Sequence, residues 1–75
     1  MTVEQIFAEV FSIPANTVQD SLELGQIAAW DSMAHMTLIT RIEEVFKIEL
    51  TGDEIADLRS VRDVRAVLRL HGIVS

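Results

Sequence analysis

The apolar positions of the first segment repeat with a helical period. Val3, Ile6, Phe7, Val10 and Phe11 fall at i, i+3, i+4, i+7 and i+8, the stripe of an amphipathic helix. They predict a helix over about 3–12. Thr2 and Gln5 have the spacing of a capping box, in which the hydroxyl takes a free backbone N–H and the amide reaches back. Met1 and Ile6 are placed to close a hydrophobic staple around it. Pro14 lies just beyond and disfavours helical geometry at Ile13.

No period is sustained from 13 to 30, where Pro14, Asn16, Asp20, Ser21 and Gly25 interrupt the pattern. A structureless loop of that length is uncommon and points to function or to a hidden element. Val18, Leu22, Leu24, Ile27 and Trp30 predict that it packs down on the core, with Trp30 as an anchor and a short helical turn near 20–24. Periodicity returns with Met36, Ile39, Ile42 and Phe46, widened by Met33, Leu38 and Val45, and predicts a central helix over about 32–46. Asp31 is the best candidate for its N-cap, its carboxylate placed to accept first-turn N–H bonds, with Ser32 as the alternative. Residues 47–50 are a short connection. Thr51 and Glu54 form a second capping box, with Leu50 and Ile55 as its staple, and open a brief helix over about 52–58. Ser60 and Asp63 open a fourth over about 61–71, with Val61, Val64, Val67 and Leu68 facing in and Arg62, Arg65 and Arg69 facing out. Gly72 stands where a helix stop belongs. The pattern predicts an all-α fold: a small four-helix bundle with a long first loop and a short third helix, in one domain over 1–75.

Length and charge narrow the function. A chain of 75 residues buries only about 60% of its unfolded surface, which leaves little material to wall off a dry active site. Cysteine is absent, so there is no disulfide, no thiolate metal site and no reactive sulfur of its own. No apolar run reaches the roughly 18 residues needed to span a membrane. The start carries Glu4 and Glu9 without a lysine or arginine and does not read as a signal peptide; the expectation is a cytoplasmic protein. The net charge of −6 disfavours nucleic acid. It is unevenly spread, at −9 over residues 1–57 and +3 over residues 58–75. The arginines of the last segment read either as a solvated face or as partners of acids on a neighbouring helix.

The chemistry concentrates at "AAWDSMAHM", residues 28–36. A serine nucleophile needs a base, a group to orient it and oxyanion donors. His35 lies one turn from Ser32, but Asp31 is a capping residue, no Gly-x-Ser-x-Gly elbow is present and no second domain closes a cleft. Self-contained hydrolysis is disfavoured, and His35 reads as an exposed helix residue. A serine in a first helical turn has another use. Its hydroxyl is exposed beside free N–H groups and the positive end of the helix dipole, where a phosphate ester is favoured by about 0.3–1 kcal/mol. The plain alternative is a capping serine in an acidic protein–protein interaction module that carries nothing.

"WDSMAHMTLITRIEEVFKIEL" resembles the acyl carrier protein family, including the peptidyl carriers. The resemblance lies in Asp31-Ser32-Met33 at the head of the second helix, the apolar Met36, Ile39 and Ile42, and Glu43-Glu44-x-Phe46 near its end. It extends over nearly the whole chain through the helix lengths and the long first loop. It implies a carrier and not an enzyme, with 4′-phosphopantetheine joined to Ser32 by a phosphopantetheinyl transferase. The terminal thiol of that arm would hold an acyl or aminoacyl group as a thioester between a loading enzyme and an acyltransferase or synthase. Sulfur chemistry in a chain without cysteine would then use an imported thiol. By position, Asp31 shapes the helix start and helps the transferase. Met33 and Met36 lie on the turn nearest the arm, where flexible thioethers either yield to cargo or simply fill the core. The likeness implies a monomer that inserts into no membrane. One feature departs from the family: its second helix usually presents a strongly acidic face, whereas here Glu43 and Glu44 are balanced by Arg41 and Lys47.

Overall fold

The computed structural model describes residues 1–74. Four α-helices follow in order: α1 (Val3–Phe11), α2 (Ser32–Phe46), α3 (Gly52–Asp57) and α4 (Val61–Leu70). Two short 3₁₀ turns, Ala15–Thr17 and Leu24–Gln26, lie in the first loop; the turn expected near 20–24 comes slightly later, starting at Leu24, and a second one precedes it.

The helix ends follow from local chemistry. The Thr2–Gln5 box is complete: Gln5 N–H donates to Thr2 Oγ1 at 3.2 Å and Thr2 N–H to Gln5 Oε1 at 2.9 Å. The Thr51–Glu54 box is complete as well, at 3.1 and 2.8 Å. At α4, Ser60 accepts from Asp63 N–H, while the Asp63 carboxylate turns back to Arg59 N–H. Gly72, at φ 78°, ends α4. Ile73 N–H reaches Leu68 O and Gly72 N–H reaches Arg69 O, the paired bonds of a left-handed glycine stop. At α1 the Met1 sulfur also accepts from Arg41 Nη2, at 3.3 Å.

The core is drawn from α1, α2 and α4. Val3, Ile6 and Phe7 of α1, Leu38, Ile39 and Ile42 of α2, and Val61, Val64 and Leu68 of α4 are all essentially inaccessible. Among the described residues no polar or charged side chain is buried. Trp30 anchors the first loop, edge-on to Phe7 at 5.5 Å and tilted on Phe11 at 5.3 Å between ring centroids.

The middle of that loop is strapped to Arg59, in the connection between α3 and α4, and to the first turn of α4. Leu24 N–H donates to Arg59 O, Val61 N–H to Leu22 O and Arg62 N–H to Asp20 O. These backbone bonds hold an 18-residue stretch with little regular structure in a defined path. Arg65 adds to them. It is not a solvated face residue: it pairs with Glu4 of α1 and, at 2.6 Å, with Asp20 of the loop. The Arg65 hydrogen bond, with further help from the Glu4 backbone, holds the Glu4 carboxyl below its usual range. Arg62 and Arg69 remain exposed.

Candidate functional site

The site begins with a cap. Asp31 is the N-cap of α2, in extended conformation, and its Oδ1 accepts from Ala34 N–H at 2.8 Å. Its carbonyl takes His35 N–H at 2.8 Å. Ser32 is therefore the first helical residue and caps nothing. Its side chain is exposed, and the N–H groups of Ser32 and Met33 sit among the free donors of the first turn.

Ser32 stands at the rim of an open groove of about 570 Å³ between α2 and α3. Leu24, Trp30, Met36, Ile55, Ala56 and Leu58 supply apolar walls, and Asp31 and Arg59 are the charged residues of the lining. The other neighbours expected at this corner separate. Met36 lines the groove and is half exposed, at 50%. Met33 lies outside the lining and is 82% exposed. Neither fills the core as the pattern suggested for the apolar sector of α2. At about 100° per residue, Met33 projects half a turn away from Ile42, and the core-facing stripe is set by Leu38, Ile39 and Ile42.

His35 corrects a second expectation. It is not a free surface residue. Trp30 Nε1–H donates to His35 Nδ1 at 2.9 Å, and His35 Nε2 lies 2.9 Å from the Ile55 carbonyl oxygen. The imidazole also stacks on the indole, with centroids 6.0 Å apart and planes 20° from parallel. Sequence held one clue: His35 precedes Leu38, Ile39 and Ile42 by three, four and seven residues, on the stripe that faces inward. The hydroxyl of Ser32, the cap on Asp31 and the imidazole of His35 thus lie on one turn, but His35 is bonded away from the serine at both nitrogens. No base is offered to Ser32, and the cluster is not a hydrolytic triad.

A family profile described as "Phosphopantetheine attachment site" matches residues 2–68. The chain belongs to this family, that of the acyl carrier proteins. One similar protein is an acyl carrier protein of Phytoplasma mali (strain AT), 28% identical over 69 residues, which are 92% of this chain and 82% of that protein. Membership makes the chain a carrier rather than an enzyme, with a covalently attached 4′-phosphopantetheine. It also places synthases, transferases and a phosphopantetheinyl transferase among the kinds of protein such a carrier meets. The corner at the head of α2 suits that group: an exposed hydroxyl, free N–H donors facing an anion and an open, mainly apolar groove beside them. No helix among the described residues is long and apolar enough to cross a membrane.

Proposed function

We propose that Ser32 is the attachment point and that residues 1–75 act as one carrier domain. The observation that carries this reading is the division of labour between two adjacent residues. Asp31 takes the capping bond at 2.8 Å, which leaves the Ser32 hydroxyl exposed at the positive end of α2 with no structural duty. Asp31 holds the first turn in the shape a transferase engages. Met36 and the free N–H groups of the first turn flank the arm, and Met33 offers its exposed thioether to partner proteins. The prosthetic group supplies a terminal thiol, on which acyl or aminoacyl groups travel as thioesters. The protein supplies an anchor, an orientation and a surface.

The partners are a phosphopantetheinyl transferase, an acyl- or aminoacyl-loading enzyme, and an acyltransferase or synthase. The carrier works as a cytoplasmic monomer and binds no nucleic acid, in keeping with its net charge of −6. It is specialised rather than the general carrier of fatty acid biosynthesis. The outer face of α2 supports this: Met33, Thr37 and Thr40 are exposed there, and Arg41 is tied to Glu9 at 2.8 Å. Such a face gives little long-range electrostatic steering, so its partners read shape and apolar contact. Secondary metabolite, lipid or surface-polysaccharide biosynthesis and aminoacyl transfer are the settings it fits.

Coexpression with a broad-specificity phosphopantetheinyl transferase tests the attachment point. Intact mass should rise by one phosphopantetheinyl unit in the wild-type chain and not in Ser32→Ala. Addition that persists in Ser32→Ala would move the site elsewhere. Elongation by a housekeeping fatty acid synthase as fast as on a strongly acidic carrier would remove the specialised role.

A further inference from the structure

Both histidines of the chain end on α3, at consecutive residues. From α2, His35 Nε2 meets the Ile55 carbonyl oxygen at 2.9 Å. From the end of α4, His71 Nε2 meets Glu54 Oε2 at 3.0 Å. α3 has six residues and fully buries none of them. A helix that short does not hold its own shape in water. Its capping box, the half-buried Ile55 side chain packed on the core and the two imidazole bonds define where it sits. It is also a wall of the groove at Ser32, to which it contributes Gly52, Ile55 and Ala56.

The hydrogen bonds determine the state of the His35 ring. An indole N–H only donates, so Nδ1 must accept; a carbonyl only accepts, so Nε2 must carry the proton. The ring is the neutral Nε2–H tautomer, and it joins the loop anchor Trp30, the first turns of α2 and the backbone of α3.

We propose that His35 and His71 form a two-point latch on α3. His35 is the positioning residue that sets the groove wall beside Ser32, and release of either point opens the groove. The use of the groove rests on the carrier reading above; the latch is a property of the unmodified chain and is tested there.

Hydrogen exchange in the full-length, unmodified protein reads the latch directly. The reporters are the Ile55 and Leu58 amides, which bond to Thr51 O and Ile55 O. His71→Ala breaks a surface pair and should speed their exchange about two- to fivefold. His35→Phe keeps the stacked ring but loses both bonds, and should speed it about tenfold. His35→Gln should recover part of that loss, because an amide offers one acceptor and one donor group. The Ile42 amide should not change in any of them. Nitrogen-15 spectra should show His35 with Nδ1 unprotonated at neutral pH. Trp30, the only tryptophan, lines the groove and is 5% exposed. His71→Ala leaves the groove lining intact, yet should raise acrylamide quenching of Trp30 about twofold. Unchanged α3 exchange, an equal rise in all four helices, a protonated Nδ1, or unchanged quenching in His71→Ala would each overturn the latch. Failure of a transferase to load Ser32 would overturn the carrier reading and leave these measurements standing.

Discussion

Around Phe7 the chain is held by apolar side chains from several elements; around Ser32 it is held by hydrogen bonds. Phe7 is wholly inaccessible and in ring contact with Phe11 and Trp30. At the Ser32 corner the cap on Asp31 and the imidazole of His35 replace that packing, and α3 buries no residue of its own. Apolar burial is non-directional and strong per residue. A hydrogen bond is worth about 0.5–1.5 kcal/mol net and can be broken one at a time. A chain this small commits its core to the body and leaves the functional corner to bonds that a partner can exchange. Regions that must move belong at the low-stability end of a protein.

The largest effect should come from Phe7→Ala, which removes a fully buried ring and should cost about 3–5 kcal/mol. For a domain whose whole stability is about 5–15 kcal/mol, the urea midpoint should collapse. A cost no larger than that of a corner substitution would show that the division is wrong. Asp31→Ala comes next. It frees the first-turn donors of α2 and should cost about 0.5–2 kcal/mol. Far-ultraviolet circular dichroism should stay native while the transferase modifies Ser32 more slowly.

Acid should act more weakly, and on both regions. Glu4 in the body is held below the ordinary carboxylate value of 4.5, first by its hydrogen bond from Arg65. Glu54 in the corner is lowered too, first by the hydrogen bond from the Thr51 backbone and, after desolvation in the opposite sense, by His71. A depressed carboxyl stabilises the fold above its unfolded pKa, and that contribution is lost as pH falls through the folded value. Urea midpoints should therefore drop below pH 4.5. Glu4→Gln and Glu54→Gln should each flatten part of the drop, and salt should shrink it, because both groups are near the surface. The smallest effect on stability should be that of Ser32→Ala, within about 0.5 kcal/mol, since its hydroxyl caps nothing. A loss like that of Asp31→Ala would return the capping role to Ser32.

The elements and their ends were legible because their signals are local. The Thr2–Gln5 and Thr51–Glu54 boxes each span one turn and formed as the spacing predicts. The stripe through Val3, Ile6 and Phe7 faced inward, as did Val61, Val64 and Leu68. Met33 and Met36 misled because hydrophobicity alone widened the apolar sector of α2, whereas burial depends on what lies opposite. His35 misled for the converse reason: a polar residue on the inner stripe needs a buried partner, and the indole five residues earlier and the carbonyl twenty residues later are not visible as a pattern.

By itself, then, the order of residues determined four amphipathic helices, their caps and a serine at the head of the second. Each of these depends on groups within a turn or two of one another, where chain geometry alone brings them together. Tertiary structure decided that Asp31 and not Ser32 closes α2, that the long loop is strapped to the α3–α4 connection and the first turn of α4, that Arg65 joins α1 to the loop, and that both histidines meet α3. All but the first of these join groups far apart in the chain. The choice at Asp31 turns on the entry path of the loop, which Trp30 fixes only once it is seated against Phe7 and Phe11.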